Sequence, residues 1–307
     1  IIFQTQTSLC NLIMIHPTKI FGHNEQFKIL NESYRVKFPH AWIFNGIKGI
    51  GKYSTAVSFI RSVCKIKGSN TQNFFEINSE ENPVLVDDIR LLINQINLTN
   101  ANENQNCFII IDNASNLNFN SYNAMLKTIE DPPSNTIIIF ISHDIKRIPK
   151  TISSRCIKLD FKPLNKKNMF EFCKYYDVDC KHFDLEKKYF LTNGSIERLF
   201  FLISEEGKII QEYFDKLEKN KSFKMSEFEL FYDLIAHNYD KLFSSIMNHI
   251  FFIQKDRFLK YYQNKAYIKK ILIFFSNIRI LHIQNLNIDK KKELYYLLSE
   301  YIKTNEY

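Results

Sequence analysis

Several features that define particular classes of protein are missing from this sequence. Its six cysteines include no Cys-x-x-Cys pair, and segment 1–15 lacks the basic start and unbroken apolar core of a secretory signal. Free, mostly buried thiols in a reducing cytoplasm are therefore expected. No apolar run reaches ~18 residues, so we expect neither a membrane span nor a membrane partner.

Glycine and proline are also scarce, at seven residues each among 307, whereas Asn, Lys, Ile, Phe and Tyr are abundant. AT-rich coding would produce the same bias, so the net charge of +8 does not by itself indicate contact with DNA. Direct DNA contact stays open on this ground. The length and an ordinary hydrophobic content of 45% predict a folded protein of two or three domains.

The segment 107–156 organises the chain. The apolar run 108–111 ends on Asp112, a helical period follows as far as Pro132-Pro133, and a second apolar run spans 136–141. Two such runs around a helix predict a β-α-β unit whose strands are buried on both faces, as in a parallel sheet. Asp112 and the polar segment 142–144 follow these strands, so they should face a ligand crevice at the edge of the sheet.

Helical periods replace strand-like runs after a last predicted strand at 157–161. Ser195 is the expected N-cap of a helix that runs to Leu202. From about residue 205 onward the pattern is helical throughout. An apolar stripe between Ile271 and Ile283 is either a contact surface or part of the core of its own domain.

A glycine-rich loop lies between the predicted strand 41–44 and a predicted helix. Gly46 and Gly51-Lys52 match the first seven positions of a phosphate-binding loop, Gly-x-x-x-x-Gly-Lys, and Gly49 lies between them. Glycines let backbone N–H groups approach phosphate oxygens, while a lysine and a helix N-terminus favour their negative charge. The loop predicts a site for ATP or ADP with Mg²⁺, unless it is an inherited turn that no longer binds nucleotide.

Two positions depart from this chemistry. The eighth position should be a Ser or Thr that ligates Mg²⁺, but it is Tyr53, and Ser54 is one residue out of register. Asp112 ends the strand that would position Mg²⁺, yet Asn113 follows where an active ATPase usually has Glu. Asn cannot act as a general base at neutral pH. We therefore expect little or no ATP hydrolysis by this chain alone.

Two further motifs carry a resemblance to a known family. The segment 123–133, NAMLKTIEDPP, is similar to Asn-Ala-Leu-Leu-Lys-x-Leu-Glu-Glu-Pro-Pro, and 153–156, SSRC, carries a Ser-Arg-Cys motif. Both are signatures of the clamp-loader branch of the AAA+ ATPases, and the opening 20–23, IFGH, resembles that family as well. The resemblance spans roughly 17–202 and is specific because the motifs occur in register.

The resemblance implies roles for three residues. Arg155 would project onto the nucleotide held by a neighbouring subunit, where a guanidinium stabilises charge on the γ-phosphate oxygens. His143 falls at or near the sensor 1 position, where active relatives often carry Thr or Asn. Arg198 resembles the sensor 2 arginine, which points to bound phosphates. Without the family, Arg155 would be a surface arginine with a local ion pair, and Arg198 an arginine on a polar helix face.

The implied fold is an α/β AAA+ module at 17–164, with a parallel sheet flanked by helices. A small helical lid would follow at 165–204, and an all-α collar domain at 205–307. Residues 1–16 would form an N-terminal extension, with Met14 as the candidate natural start. Relatives often carry a four-cysteine zinc module after the first helix, but that region here has only Cys64. We therefore expect no zinc and no other metal site built by the protein.

The implied function is that of a non-motor subunit of the DNA polymerase III clamp loader, with no polymerase activity of its own. It would complete a pentamer with the gamma/tau and delta subunits and act, through that complex, on the sliding clamp and primer-template DNA. An active ATPase motor of the gamma/tau type is the alternative; Tyr53, Asn113 and the missing zinc cysteines argue against it. An unrelated P-loop enzyme, such as a small-molecule kinase, would leave both motifs unexplained.

Overall fold

The computed structural model describes residues 19–36, 38–67, 74–78, 84–99, 106–178, 185–218 and 263–283, together with short pieces between 233 and 260 and residue 296. The predicted extension at 1–16 and most of the predicted collar lie outside these residues. The chain divides into two units, Ile1–Phe172 and Cys173–Tyr307. The boundaries expected at 164 and 204 stay predictions.

The first unit is built on one parallel sheet. Its strands are β1 (Ala41–Asn45), β2 (Phe74–Asn78), β3 (Cys107–Asp112), β4 (Thr136–Ser142) and β5 (Ile157–Asp160). They are ordered β2-β3-β4-β1-β5, and every neighbouring pair is parallel. The register sets Asn45 beside Ser142 and Asn78 beside Asp112. The carboxyl ends of four strands therefore meet at one edge, as the β-α-β prediction required.

Helices cover both faces of this sheet. They are α1 (Asn24–Val36), α2 (Lys52–Lys67), α3 (Val86–Thr99), α4 (Phe119–Glu130), α5 (Lys150–Ser153) and α6 (Lys166–Tyr175), with 3₁₀ turns at Ala114–Asn116 and Ile145–Arg147. Helix α4 begins where the side chain of Asn118 accepts from the backbone N–H of Ser121, and it ends before the Pro132-Pro133 pair. Helix α6 crosses the division between the two units.

All seven residues of the central strand β4 are buried. Ile138 and Phe140 pack in the core cluster that contains α3 and α4 residues, whereas Ile137, Ile139 and Ile141 pack in the cluster that contains α1 and α2 residues. This alternation is the period-two geometry of a strand, and burial on both faces explains why the sequence reads as a continuous apolar run. The central strand thus fixes the sheet edge that carries the polar strand ends.

The described part of the second unit is helical. It contains α7 (Leu185–Thr192), α8 (Ile196–Ile203), α9 (Glu205–Glu218) and α10 (Lys265–Ile283). Ser195 caps α8 as the sequence predicts, because its hydroxyl accepts from the backbone N–H of Arg198 at 3.3 Å. In the apolar stripe, Ile271 is buried but Leu272 is 62% exposed. Across the residues described, no helix combines the length and the apolar character that crossing a membrane requires.

Candidate nucleotide crevice and arginine loop

The glycine loop joins β1 to α2 at the polar edge of the sheet. Its backbone takes left-handed conformations at Gly49 (φ 74°) and Gly51 (φ 98°). A Cβ at Gly46 would overlap the carbonyl oxygen of Phe161, so the loop can pass β5 only with glycine there. The sequence pattern therefore reflects a conformation that this chain does adopt. We call residues 46–53, with the strand ends 112–113 and 142–143, the nucleotide crevice.

Lys52 is 3% exposed, and its ammonium group lies inside its own loop. Its Nζ donates to the carbonyl oxygens of Gly46 and Ile47, each at 2.6 Å, and lies 3.0 Å from Nδ1 of His143. An ammonium can only donate, so Nδ1 of His143 is the acceptor in this contact. Lys52 and His143 were both predicted to belong to the site. They are 91 positions apart in sequence and are in direct contact.

His143 is held by a serine that the sequence analysis did not single out. The backbone N–H of His143 donates to Oγ of Ser115 at 3.1 Å, and Oγ of Ser142 lies 3.0 Å from the same oxygen. Ser115 lies three residues after Asp112. Its position just beyond a strand end is the sequence signal by which it could have been identified as a site residue. The turn at Ala114–Asn116 therefore positions the candidate sensor residue against Lys52.

Tyr53 stands at the position of the Mg²⁺-binding hydroxyl and points toward β2. Its phenol donates to Oε2 of Glu76 at 2.8 Å. Burial raises the pKa of Tyr53, and the hydrogen bond and charge of Glu76 and the charge of Asp112 raise it further. The phenol is therefore neutral at physiological pH. Ser54, one residue along, is half-buried.

The end of β3 carries the other altered pair. Asn113 has left-handed backbone angles (φ 52°, ψ 37°) and is 3% exposed. Its backbone N–H donates to Oδ1 of Asp112 at 2.8 Å, and its side-chain amide donates to Oδ1 of Asn78 at 3.2 Å. Asparagine tolerates this backbone region better than most residues. The position that would activate water in an ATPase thus holds an amide that bonds to the neighbouring strand.

His23 also lies against the crevice, although the sequence analysis gave it no role. Its Nε2 lies 2.6 Å from the carbonyl oxygen of Ile50, and the ring packs edge-on against Phe161. A carbonyl can only accept, so Nε2 carries the proton. Burial lowers the pKa of His23, the bond to Ile50 opposes this, and the charge of Lys52 lowers it further. Its place in segment 20–23, which resembles the opening of the family, is the sequence signal by which it could have been identified.

The predicted trans-acting arginine lies in the loop between α5 and β5, residues 153–156, which we call the arginine loop. Nη2 of Arg155 pairs with Oε1 of Glu130 at 2.7 Å. Nη1 donates to the carbonyl oxygen of Thr151 at 2.8 Å and approaches Oγ of Ser154 at 3.4 Å. The side chain remains 41% exposed. The local ion pair expected of an ordinary surface arginine is therefore present.

Cys156 closes the arginine loop and is 8% exposed. Burial raises the pKa of its thiol to about 12, so it stays protonated and unreactive at neutral pH. It is one of the free, buried thiols that the sequence predicts. In the described ranges, no three His, Cys, Asp or Glu side chains cluster as metal ligands would. The absence of zinc stays a prediction.

Arg198 belongs to the second unit, and its expected role toward bound phosphates stays a prediction. Within its own unit it lies in the first turn of α8. Its Nη1 atom is buried and has no hydrogen-bond partner among the described residues. Burial lowers the pKa of this guanidinium, while the nearby charge of Glu197 raises it. A buried donor without an acceptor is costly, which makes this nitrogen suited to an anion.

The crevice fits one part of a nucleotide and not another. The glycine backbone and Lys52 have the donor chemistry that phosphate needs. The hydroxyl ligand for Mg²⁺ is missing, because the only hydroxyl at position 53 is a phenol bonded to Glu76. The residues present therefore fit a phosphate group but lack the hydroxyl ligand for Mg²⁺.

Comparisons with known proteins address the family directly. A family model described as "DNA polymerase III, delta subunit" matches residues 22–165. Over this region the chain is similar to clamp-loader subunits of DNA polymerase III. The matched residues contain the crevice and the arginine loop, so the family motifs lie on the sheet edge and loop described above.

The chain resembles subunits of more than one kind. It is 29% identical over 175 residues to the DNA polymerase III subunit gamma of Buchnera aphidicola, which covers 51% of this chain and 48% of the relative. It is 28% identical over 143 residues to the subunit delta' of Pseudomonas aeruginosa. This match covers 40% of this chain and 43% of the relative. The chain thus spans less than half the length of these relatives.

A solved structure from Thermotoga maritima, a DNA polymerase III gamma subunit-related protein, is similar in fold. The match has a TM-score of 0.50 and 17% sequence identity, and it covers 92% of this chain and 99% of that one. At this identity the likeness concerns the fold alone. It agrees with the AAA+ architecture of the first unit, and the all-α collar stays a prediction.

Proposed function

We propose that this clamp-loader chain is a non-motor subunit of the delta' type. It completes the pentamer and supplies Arg155 to a nucleotide bound by the neighbouring subunit, so that ATP-driven loading of the sliding clamp onto primed DNA can proceed. The observation that carries the proposal is a contrast between two sites. Lys52, Tyr53 and Asn113 are all bonded within the crevice, whereas Arg155 keeps an exposed guanidinium.

The crevice argues against hydrolysis by the chain itself. Hydrolysis needs Mg²⁺ on the β- and γ-phosphates and a group that polarises the attacking water. Tyr53 supplies no metal ligand, because its phenol is neutral and bonded to Glu76. Asn113 supplies no base, because its amide bonds to Asn78. ATP or ADP therefore binds here weakly, or is held without being turned over.

The arginine loop argues for action on a second subunit. A guanidinium has five N–H donors, and Thr151, Ser154 and Glu130 account for three of those of Arg155 among the described residues. The remaining donors are available to phosphate oxygens of a partner. An arginine that stabilises the transition-state charge in this way is worth roughly 10³–10⁵ in rate.

The partners follow from the same proposal. The neighbouring subunits would be of the gamma/tau and delta types, and the sliding clamp and primer-template DNA would be reached through the assembled complex. Arg198 would contribute to any nucleotide held by this chain, because its buried Nη1 has no acceptor among the described residues and a phosphate would supply one.

A gamma/tau-like motor is the second candidate. It is favoured by the similarity to a gamma subunit and by the retained glycine loop with Lys52. Under this alternative Asp112 would position Mg²⁺ despite Tyr53, and the isolated chain would hydrolyse ATP. The contacts of Tyr53 and Asn113 support the non-motor proposal instead.

The test measures ATP turnover in the presence of clamp and primed DNA. The chain alone, the complete loader, and the loader with Arg155→Ala are compared, with Arg147→Ala as a matched control. Arg147 is also an exposed arginine in an ion pair, with Asp144 at 3.8 Å, but lies outside the arginine loop. We expect a silent isolated chain and a loss of at least a hundredfold for Arg155→Ala only. Robust turnover by the isolated chain, abolished by Lys52→Ala, would show a motor.

A further inference from the structure

Glu130 is the last residue of α4, where a negative charge is unfavourable. The carbonyl groups at a helix C-terminus carry partial negative charge, so an acidic side chain there is repelled unless a cation compensates. Arg155 is that cation, at 2.7 Å between Nη2 and Oε1. This distance is typical of a charge-assisted hydrogen bond. The pair therefore joins the end of α4 to the arginine loop.

The end of α4 is itself fixed. Ile129 is 1% exposed, and its carbonyl oxygen accepts from Nε2 of His40 at 2.7 Å. The backbone N–H of Asp131 donates to the carbonyl oxygen of Lys127 at 2.9 Å. Glu130 thus projects from a backbone held on both sides. It can serve as a rigid anchor for a long side chain.

Arg155 has a second anchor on a different element. Nη1 donates to the carbonyl oxygen of Thr151 in α5 at 2.8 Å. Two bonds from two elements to a planar guanidinium restrict both its position and its orientation. An arginine held by Thr151 alone would rotate about that single strong contact. Glu130 therefore decides where the remaining N–H donors point.

The pair is too exposed to contribute much to folding. The two side chains are 41% and 52% exposed, and ion pairs in such positions add little to stability. Its consequence is geometric instead. A transition-state contact that is displaced by about 1 Å can lose about a hundredfold in rate.

We infer that Glu130 is a positioning residue for Arg155. It holds the guanidinium in the orientation that presents its remaining donors to the neighbour's nucleotide. This inference rests on the proposed trans role of Arg155. Because the contact acts on the transition state, loss of Glu130 should lower kcat and leave the KM for ATP nearly unchanged.

The experiment uses the complete loader with clamp and primed DNA. Glu130→Gln keeps the shape of the side chain and removes its charge. Glu32→Gln is the matched control, since Glu32 forms an exposed pair with Lys28 at 3.7 Å on α1. We expect a ten- to hundredfold fall in kcat for Glu130→Gln, a KM within about twofold of the parent, and no change for Glu32→Gln.

Combining Glu130→Gln with Arg155→Ala separates positioning from other effects. If Glu130 acts through Arg155, the double variant should turn over ATP as slowly as Arg155→Ala alone. An additional loss in the double variant would overturn the inference. So would a rise in kcat for Glu130→Gln, which would mean that the carboxylate withholds the arginine from its target. If size-exclusion chromatography shows that the loader no longer assembles, and this explains the fall in kcat, the inference is overturned as well.

The inference and the proposed function fail in different ways. If Arg155→Ala leaves turnover unchanged, the trans role itself is wrong. If Arg155→Ala abolishes turnover while Glu130→Gln behaves like Glu32→Gln, the trans role stands and Glu130 does not position the arginine.

Discussion

The nucleotide crevice and the arginine loop each contain a cationic side chain, but one is buried and the other is exposed. In the crevice, the ammonium of Lys52 is nearly inaccessible and bonded to its own loop, and the phenol of Tyr53 is bonded to Glu76. In the arginine loop, the guanidinium of Arg155 is anchored by Glu130 and Thr151 but stays exposed. The two sites lie in the same unit of the chain.

If the proposed non-motor role is right, a P-loop can keep a structural role without its hydrolytic one. The glycine conformations and the buried lysine keep β1, β4 and β5 joined at the sheet edge, which is a structural task. Substitutions in the crevice should therefore mainly lower the free energy of unfolding. Substitutions in the arginine loop should be felt in the activity of the assembly, because an exposed side chain contributes little to folding.

Gly46→Ala should have the largest effect on stability. A Cβ there would overlap the carbonyl oxygen of Phe161 and lie 3.0 Å from Cδ1 of Ile50, in a backbone conformation (φ 155°) that L residues rarely adopt. Overlap and strain together predict a loss of roughly 2–5 kcal/mol in the free energy of unfolding. Urea denaturation of the isolated chain, without nucleotide, measures it.

Two variants control this prediction. Gly51→Ala meets only Cδ2 of His23 at 3.7 Å, so strain alone should cost less than the change at Gly46. Arg155→Ala should lie within about 1 kcal/mol of the parent. If Gly46→Ala were as stable as Arg155→Ala, the glycine loop would have no structural role that distinguishes it from the arginine loop.

Much of this architecture could be predicted because it is local in sequence. The apolar run of β4, the Pro132-Pro133 stop and the cap at Ser195 depend on residues a few positions apart. The common edge that carries the strand ends also followed from the predicted parallel sheet. Periodicity and strand geometry are sufficient for features of this kind.

The side-chain contacts of the crevice and the arginine loop could not be predicted in the same way. Tyr53 reaches Glu76 across 23 positions, and His23 reaches Ile50 across 27. Neither pair shares an element or a period, and each depends on how a loop packs beside a particular strand or turn. The pairing of Arg155 with Glu130 is of the same type. A sequence motif names such residues but does not give their partners.

Tyr53→Thr restores the hydroxyl that the eighth position of the glycine loop lacks. A threonine hydroxyl at this position can ligate Mg²⁺, and a contact with a charged group is worth about 1.5–3 kcal/mol, or tenfold and more in affinity. We expect Mg²⁺-dependent binding of ATP to tighten by about tenfold. Hydrolysis should stay low because Asn113 remains. Calorimetric titration with and without Mg²⁺ measures the change.

Tyr53→Phe is the matched control. It removes the hydrogen bond to Glu76 but supplies no small hydroxyl, so it should leave the Mg²⁺ dependence unchanged. Equal tightening in both variants would mean that the phenol only obstructs the crevice. Rapid hydrolysis by Tyr53→Thr alone would mean that Asn113 is not a defect, which would favour the motor alternative.

His23→Gln should have the smallest effect, and it tests whether the folded chain keeps His23 neutral beside the charge of Lys52. Burial lowers the pKa of His23 below 6.5, so below that pH the unfolded chain binds more protons and stability falls as pH falls. The glutamine amide can still donate to the carbonyl of Ile50 but does not titrate. Relative to wild type, the variant should therefore gain stability as pH drops from 7.5 to 5.5, by at most about 1.4 kcal/mol per pH unit. If the free energies of unfolding of the variant and the wild type differed by the same amount at both pH values, protonated His23 would be tolerated in the folded chain. The loop around Ile50 would then open more readily than its contacts indicate.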